Sequence, residues 1–573
     1  MPRANKMLTQ LLYHFLIVVL VTSIPTAFWI VMLKRWGRLP QHAIHISALA
    51  AFAGTAYLTF WAFFAGRSTG LVSVYAVYGI STVCLVIWRK QLKAFLYADR
   101  EILLAHILVI LIGFSYIGIL CTTAAPANAD ALDRSAHRFN ELPGDNLIPV
   151  VFADRLERNE SVRHLFGDEH DAWLSSDRPP LQTGIILSVR PILMNPVFRA
   201  IGMRSGHSGF ASSVWFQLFW IPAVWALLRA LGANAKQSAA VIVVTACTGF
   251  CLLYSIYTWP KFGAAALVIG GVSLIITDRS EHSTSRWVCA AGMFSLAHLS
   301  HGGSDFALIA LPVLIFVPAL RPTIRECVIA VILFITISAP WVAYQKLYDP
   351  PGDRLLKMHL AGVNDVDSRS ILTALQDRYR EIGWTGFLEN RRANFAKLVE
   401  GDFHPMIDFN FQPDAAQDRR NAEFFFFFRA LAFGNIALIV SPLLIFLLGR
   451  KSTDEQALMR KIVYILGFAI LSLMAWCFLM FMPGSCVIHQ GSLVPLLTVY
   501  STAMLLMYRY SWVLFCVVSC LQFTSFLTTW VPENTPLGTS GDLTAYIIIG
   551  TSAFGLLLAT LFIKNQSVEQ SVA

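Results

Sequence analysis

Apolar residues run along this chain in long blocks parted by short polar connections. The blocks lie near 8–33, 41–66, 69–88, 102–124, 209–231, 237–257, 260–277, 286–300, 303–320, 326–345, 424–449, 461–482, 492–507, 510–530 and 543–563. A helix of about twenty apolar residues crosses the hydrocarbon core of a bilayer, so the pattern predicts an all-α, polytopic membrane protein with about 13–15 transmembrane helices. Two long polar stretches, 122–208 and 346–423, interrupt the series. Loops of that length are seldom mere connection.

Inside these loops apolar positions return at helical spacing. Leu147, Val151, Leu156, Val162 and Leu165 mark an amphipathic helix over 146–166, expected to lie on the membrane surface. Segment 185–204 is more apolar and is assigned to the interface as well. Segment 370–400, with Trp384, Phe387, Arg391, Arg392 and Lys397, has the same character. No Gly/Ser linker and no long-period repeat divides the chain. One membrane domain is expected, in four stretches: a transmembrane extension (1–100), a core carrying the first long loop (101–345), the second loop (346–423) and C-terminal helices (424–573).

Composition narrows the class. The chain has 573 residues, of which 56% are hydrophobic and only 14% charged, with mean hydropathy +0.59. Soluble domains carry about a quarter charged residues. The net charge of +9 would suggest nucleic acid in a soluble protein. Here the bases, among them Lys34, Arg35, Arg89, Lys90, Lys93, Arg229, Lys236, Arg450 and Lys461, fall in short connections that alternate onto one side. Orientation in the membrane is the simpler cause, so no nucleic-acid partner is expected. The positive-inside rule makes that side cytoplasmic. Arg3, Lys6 and Arg67 run against it. Both long loops then share the exterior face with the turns Trp259-Pro260-Lys261, His301-Gly302-Gly303 and His489-Gln490-Gly491-Ser492. The ten cysteines sit mostly inside apolar runs and show no zinc-ligand spacing, which reads as core packing. The basic start before the first apolar run lacks a small-residue cleavage site and reads as a retained span.

The chemistry-bearing residues gather on that exterior face. Asp145 follows a Pro-Gly turn in Pro143-Gly144-Asp145-Asn146. A carboxylate there can be a general base or a plain helix cap. Asp177-Arg178-Pro179-Pro180-Leu181 holds its basic residue on a backbone stiffened by two prolines, suited to pairing with a phosphate. A solvated arginine in a proline-rich turn is the plainer reading, and Asp177 is either a second acid or Arg178's partner. Lys261 either faces an anionic ligand or snorkels. His301 is a ligand contact or a satisfied helix-end histidine. Arg354 and Lys357, after Pro350-Pro351-Gly352-Asp353, stand three apart and are expected on one helix face, binding phosphate or lipid headgroups. His489 is a further candidate. Asp154 is read as structural.

The order of these motifs resembles the integral-membrane glycosyltransferases of the GT-C type, of the mannosyltransferase and aminoarabinose-transferase kind. Gly144-Asp145 before the helix ending Phe152-Ala153-Asp154-Arg155 looks like the acidic residue and helix that follow the first core span of that family. Arg178-Pro179-Pro180-Leu181 looks like its basic residue before Pro-Pro-Leu, and Ala339-Pro340-Trp341 like its Pro-Trp exit from a span. The family often has a second acidic residue where Asn146 stands. The resemblance spans roughly residues 100–360. It implies transfer of a sugar from a polyprenyl-phosphate donor to a glycan, lipid or protein acceptor at the exterior face of the inner (plasma) membrane. Asp145 would be the base. Arg178 and Lys261 would neutralise the phosphate, with Asp177, His301, Arg354, Lys357 and His489 as further substrate contacts. No cofactor is implied, and a divalent metal has no support in the sequence.

No GxGxxG, P-loop, HExxH or lipase elbow occurs, so a nucleotide-sugar donor is not supported. The alternative is a transporter, polymerase or ligase of lipid-linked saccharides. A flippase needs ionisable groups at mid-membrane depth, whereas the apolar blocks here are nearly free of charge.

Overall fold

The computed structural model describes residues 2–98, 100–121, 129–138, 142, 144–163, 165, 174–277, 283–400, 413–425, 427–449, 452–485 and 491–530. No strand occurs among them. Nine helices among the described residues are long and apolar enough to cross a membrane, and the chain is a polytopic helical membrane protein.

The first part of the chain forms α1 (Pro2–Trp36), α2 (Ile44–Ala65), α3 (Arg67–Ile87), α4 (Arg89–Ala98) and α5 (Arg100–Cys121). The first long loop contributes α6 (Ala131–Arg138), α7 (Ile148–Arg158), α8 (Leu181–Leu193) and α9 (Pro196–Ala200). Then follow α10 (Ser205–Gln217), α11 (Trp220–Ala230), α12 (Ala235–Ala246), α13 (Gly249–Ile256) and α14 (Lys261–Ile276). Next come α15 (Ser283–His298), α16 (Asp305–Ile309), α17 (Pro312–Ile315), α18 (Ile324–Ala343), α19 (Arg354–Ala361) and α20 (Ile371–Val399). Helices Pro413–Phe425, Asn435–Leu448, Thr453–Leu479, Leu493–Tyr510 and Trp512–Trp530 complete the described chain.

Fewer helices qualify as spans than the 13–15 expected, for local reasons. The run 237–257 is two helices, α12 and α13, bent by 78°. Thr248 supplies the break, its hydroxyl accepting from Cys251 N at 3.3 Å as the cap of α13. The run 303–320 splits into a turn and the short α16 and α17, with Pro312 opening the latter. Helix α14 has 16 residues, all buried. The run 543–563 lies outside the described residues.

The loop helices are not all surface elements. Every residue of α8 but Ile192 is buried, so the expected interfacial segment 185–204 begins as a core helix. Gly184 makes this possible: a Cβ there would stand 2.4 Å from the Ala56 carbonyl oxygen of α2. The two backbones touch because no side chain parts them. Helix α7 is amphipathic as expected but ends at Arg158, where Asn159 takes a left-handed cap, short of Val162 and Leu165; its apolar face (Ile148, Val150, Phe152, Ala153, Leu156) packs inward and contacts α8. Helix α20 breaks at Gly383 (φ 61°). Its Asn390 and Asn394 donate to the carbonyls of Phe481 and Met480 at 2.7 and 2.8 Å. Arg391, expected at the interface, is buried beside them and donates to Met480 O; Trp384 remains exposed.

Helices α1 and α2 share one apolar core with α8, α10 and α14. Arg204 N donates to His14 Nε2 at 2.9 Å, tying α1 to the start of α10. The bundle has two distinct ends. At one, the last turn of α1 meets α4 through Arg35 and Gln91 (3.1 Å), and α5 meets α11 through Glu101 and Arg229 (2.9 Å). At the other, Phe60 and Phe64 of α2 pack on Phe152, Trp341 and Tyr344.

Candidate functional site

At this second end a cavity of about 670 Å³ opens between the α7–α8 region, the α13–α14 turn and α19. Its polar floor is a rigid turn. Tyr257-Thr258-Trp259-Pro260-Lys261 links α13 to α14, and Thr258 takes φ 61°, an uncommon backbone for a β-branched residue. Neighbours hold it there. Asn146 Nδ2 donates to Tyr257 O at 2.9 Å, Gln182 Nε2 to Thr258 O at 2.8 Å, and Ser300 Oγ to Pro260 O at 2.7 Å. Gln217 donates to Gln182 Oε1 and accepts from Phe262 N and Gly263 N. Asn146 is thus part of the scaffold of the turn.

Two motifs distant in sequence meet over this turn. Asp145 lies in a 3-10 turn, Gly144–Leu147, and is 3% exposed. Its carboxylate accepts from the Arg178 guanidinium and from the Trp259 indole N–H. This replaces the expected hold by helix N-terminal amides: Asp145 caps no helix. Arg178 is 7% exposed, and burial pulls its pKa down to about 10, which leaves it cationic at neutral pH.

Asp177 takes a different partner. Its Oδ2 accepts from Arg354 Nη1 at 2.6 Å and from Leu174 N at 2.8 Å. Burial pushes the carboxyl up to about 6 against the pull of Arg354. Asp349 fixes the same segment, accepting from Ser175 Oγ at 2.7 Å and Ser176 N at 2.8 Å.

Lys261 places its ammonium 3.4 Å from the centre of the Trp259 ring. Among the described residues it pairs with no carboxylate, and burial, then the charge of Arg178, pushes its pKa well below the ordinary lysine value. His301 lines the cavity while its Nδ1 accepts from Gly303 N at 2.9 Å, so it is a cap and a lining residue at once.

Of the sequence candidates, Asp145, Asp177, Arg178, Lys261, His301 and Arg354 line this one space. Lys357 does not. It is a buried residue of α19, paired with Asp353 at 2.8 Å and donating to Asp367 O at 2.6 Å. The three-residue spacing from Arg354 leaves the two side chains on different partners. His489 lies outside the described residues. Asp154 pairs with the fully buried Arg190 at 2.5 Å, away from the cavity.

Sequence reasoning passed over Trp259 and His359. Trp259 sits inside the turn singled out for Lys261, and only the fold reveals that its indole meets Asp145. His359 shares α19 with Arg354 and lines the cavity. Burial, then the cations Arg178 and Lys261, push it down to about 4, so it stays neutral at physiological pH. Among the described residues, no three His, Cys, Asp or Glu side chains stand together as metal ligands. The arrangement is therefore a buried carboxylate paired with an arginine, beside a lysine that pairs with no described carboxylate, under apolar walls such as Phe306, Ile309, Leu355, Leu360 and Leu479. It can take an anion next to a base, with room for an apolar chain. No family model, curated protein or solved structure matches the chain.

Proposed function

We propose that this protein is a membrane glycosyltransferase of the GT-C kind, using a polyprenyl-phosphate-linked sugar as donor. The observation that carries the reading is the contact between Asp145 and Arg178 in one cavity with Lys261. Two motifs picked out for base and phosphate roles converge there from separate parts of the chain.

The chemistry follows from the charges. An acceptor hydroxyl attacks the anomeric carbon of the sugar as the bond to the polyprenyl phosphate oxygen breaks. Asp145 takes the hydroxyl proton. Arg178 and Lys261 stabilise the phosphate that leaves with the bonding pair, Arg178 through its forked N–H groups and Lys261 as an ammonium whose protonated form the phosphate's charge favours against burial. Before the donor arrives Arg178 pairs with Asp145 alone; with the donor bound it is shared between carboxylate and phosphate. The apolar walls suit the polyprenyl chain. On this reading the cavity faces the exterior side and the carboxylate-poor basic end of the bundle faces the cytoplasm.

The test is transfer by the purified protein from a panel of polyprenyl-phosphate sugars. Asp145→Asn keeps the shape and one of the two accepted hydrogen bonds, and should lower turnover by about two to four orders of magnitude, the range for a lost proton-transfer group. Unchanged turnover in the variant would move the base elsewhere. No transfer by the wild-type protein from any donor would leave the reading without support.

A further inference from the structure

At the end of the bundle opposite the cavity, a second feature stands apart from the chemistry. A groove of about 300 Å³ runs between α1 and the last turns of α3, lined by Ile24, Thr82, Leu85, Val86 and Arg89. It opens outward. Along α3 the neighbouring side chains Val72, Tyr75, Ile80, Val83 and Val86 are all more than half exposed, which in a span means exposed to lipid. A lipid-facing apolar groove excludes water and is filled by hydrocarbon.

Its mouth is cationic. Arg89 closes the groove and begins α4, which adds Lys90 and Lys93. Arg35, from the last turn of α1, reaches the same place: its guanidinium lies 4.9 Å from the Trp88 ring centre and donates to Gln91 Oε1 at 3.1 Å. Arg38 follows, over Trp36. Among the described residues none of Arg35, Arg38, Arg89, Lys90 and Lys93 pairs with a carboxylate. The nearby acid Glu101 is spent on Arg229. Trp88, stacked on Phe28, stands at the depth where tryptophan marks the membrane interface.

We propose that this groove is a binding site for an anionic phospholipid. One acyl chain lies between Ile24, Leu85 and Val86, and the headgroup phosphate rests on Arg89 with Arg35, Lys90 and Lys93 around it. Positive-inside orientation alone calls for basic residues on one side. It does not call for an apolar seat that ends on one of them, nor for five cations that pair with no carboxylate among the described residues. Clusters of this size beside a span attract anionic headgroups, each basic residue adding to the attraction. The site does not depend on the function proposed above.

The experiment is native mass spectrometry of the full chain released from nanodiscs of equal phosphatidylglycerol and phosphatidylcholine. Retained phosphatidylglycerol should exceed phosphatidylcholine. Arg89→Ala should reduce that excess about fivefold, the contribution of one basic residue near an anionic surface. Thr82→Trp fills the groove without touching the charges and should remove one retained lipid while leaving the fold intact. Equal retention of the two lipids by the wild type would overturn the proposal. So would an excess that survives both substitutions, because general surface charge would then account for it.

Discussion

Arg178→Met tests whether the cavity is as dry as the packing makes it. The substitution keeps most of the stem's volume and removes the charge. Asp145, 3% exposed, then keeps only the Trp259 indole as a donor. Removing one partner of a buried ion pair costs about 3–5 kcal/mol, because the other charge stays behind uncompensated. The retained indole bond, worth about 1.5–3 kcal/mol to a charged acceptor, places the expected loss near the lower end of that range. Against a total stability of about 5–15 kcal/mol this is a large fraction. The double variant Asp145→Asn/Arg178→Met has no buried charge at this point and should regain roughly 2 kcal/mol or more over the single arginine variant, a coupling of the size seen between contacting residues. Denaturant unfolding in detergent, followed by tryptophan emission, compares the wild type, both single variants and the double. If Arg178→Met unfolds with the wild type, or the double variant is no better than the single, the pair is solvated and the reading of a dry cavity fails.

Three further outcomes follow from the geometry. Gly184→Ala drives a methyl group into the Ala56 carbonyl and should cost about 1–3 kcal/mol as α2 and α8 separate, read by the same unfolding assay; an unchanged midpoint would mean the helices are not in backbone contact. Asp177 has a carboxyl raised to about 6, above its ordinary value of about 3.9, so folding favours its protonated form. That stabilisation is complete below pH about 4 and is lost as pH rises through about 6, so Asp177→Asn should flatten the stability profile across this window; parallel profiles would reject it. A reporter fused after Arg89 should read cytoplasmic and one at Gln376 exterior, and the same side for both would break the orientation argument.

The apolar blocks made the membrane class legible, because hydrocarbon-compatible length is a property of each segment alone. Asp145 and Arg178 were legible as residue types in turn motifs, and the cavity does bring them together. What the sequence withheld are contacts between distant segments. The apolar pattern of 185–204 is compatible with an interface or a core, and Gly184 decides between them only when Ala56 is known to lie opposite. The i, i+3 spacing of Arg354 and Lys357 predicts a common face, yet Asp177 draws one and Asp353 the other. Trp259 and His359 carry no motif. Their roles arise from a turn held by Asn146, Gln182 and Ser300, three residues from three other parts of the chain.

The union of α1 with α10 has a consequence for how the protein is made. Arg204 meets His14 across 190 residues of chain, and α2, covered on one side by α3, finds the rest of its cover only in α8 and beyond. Spans emerge in order during synthesis, so α1 and α2 enter the bilayer before their partners exist. During that interval their inner faces, with His14 and His45 among them, are open to lipid or to whatever helper shields nascent helices. The most exposed moment in the life of this fold comes early, and it closes in stages as α8, α10, α14 and α15 follow.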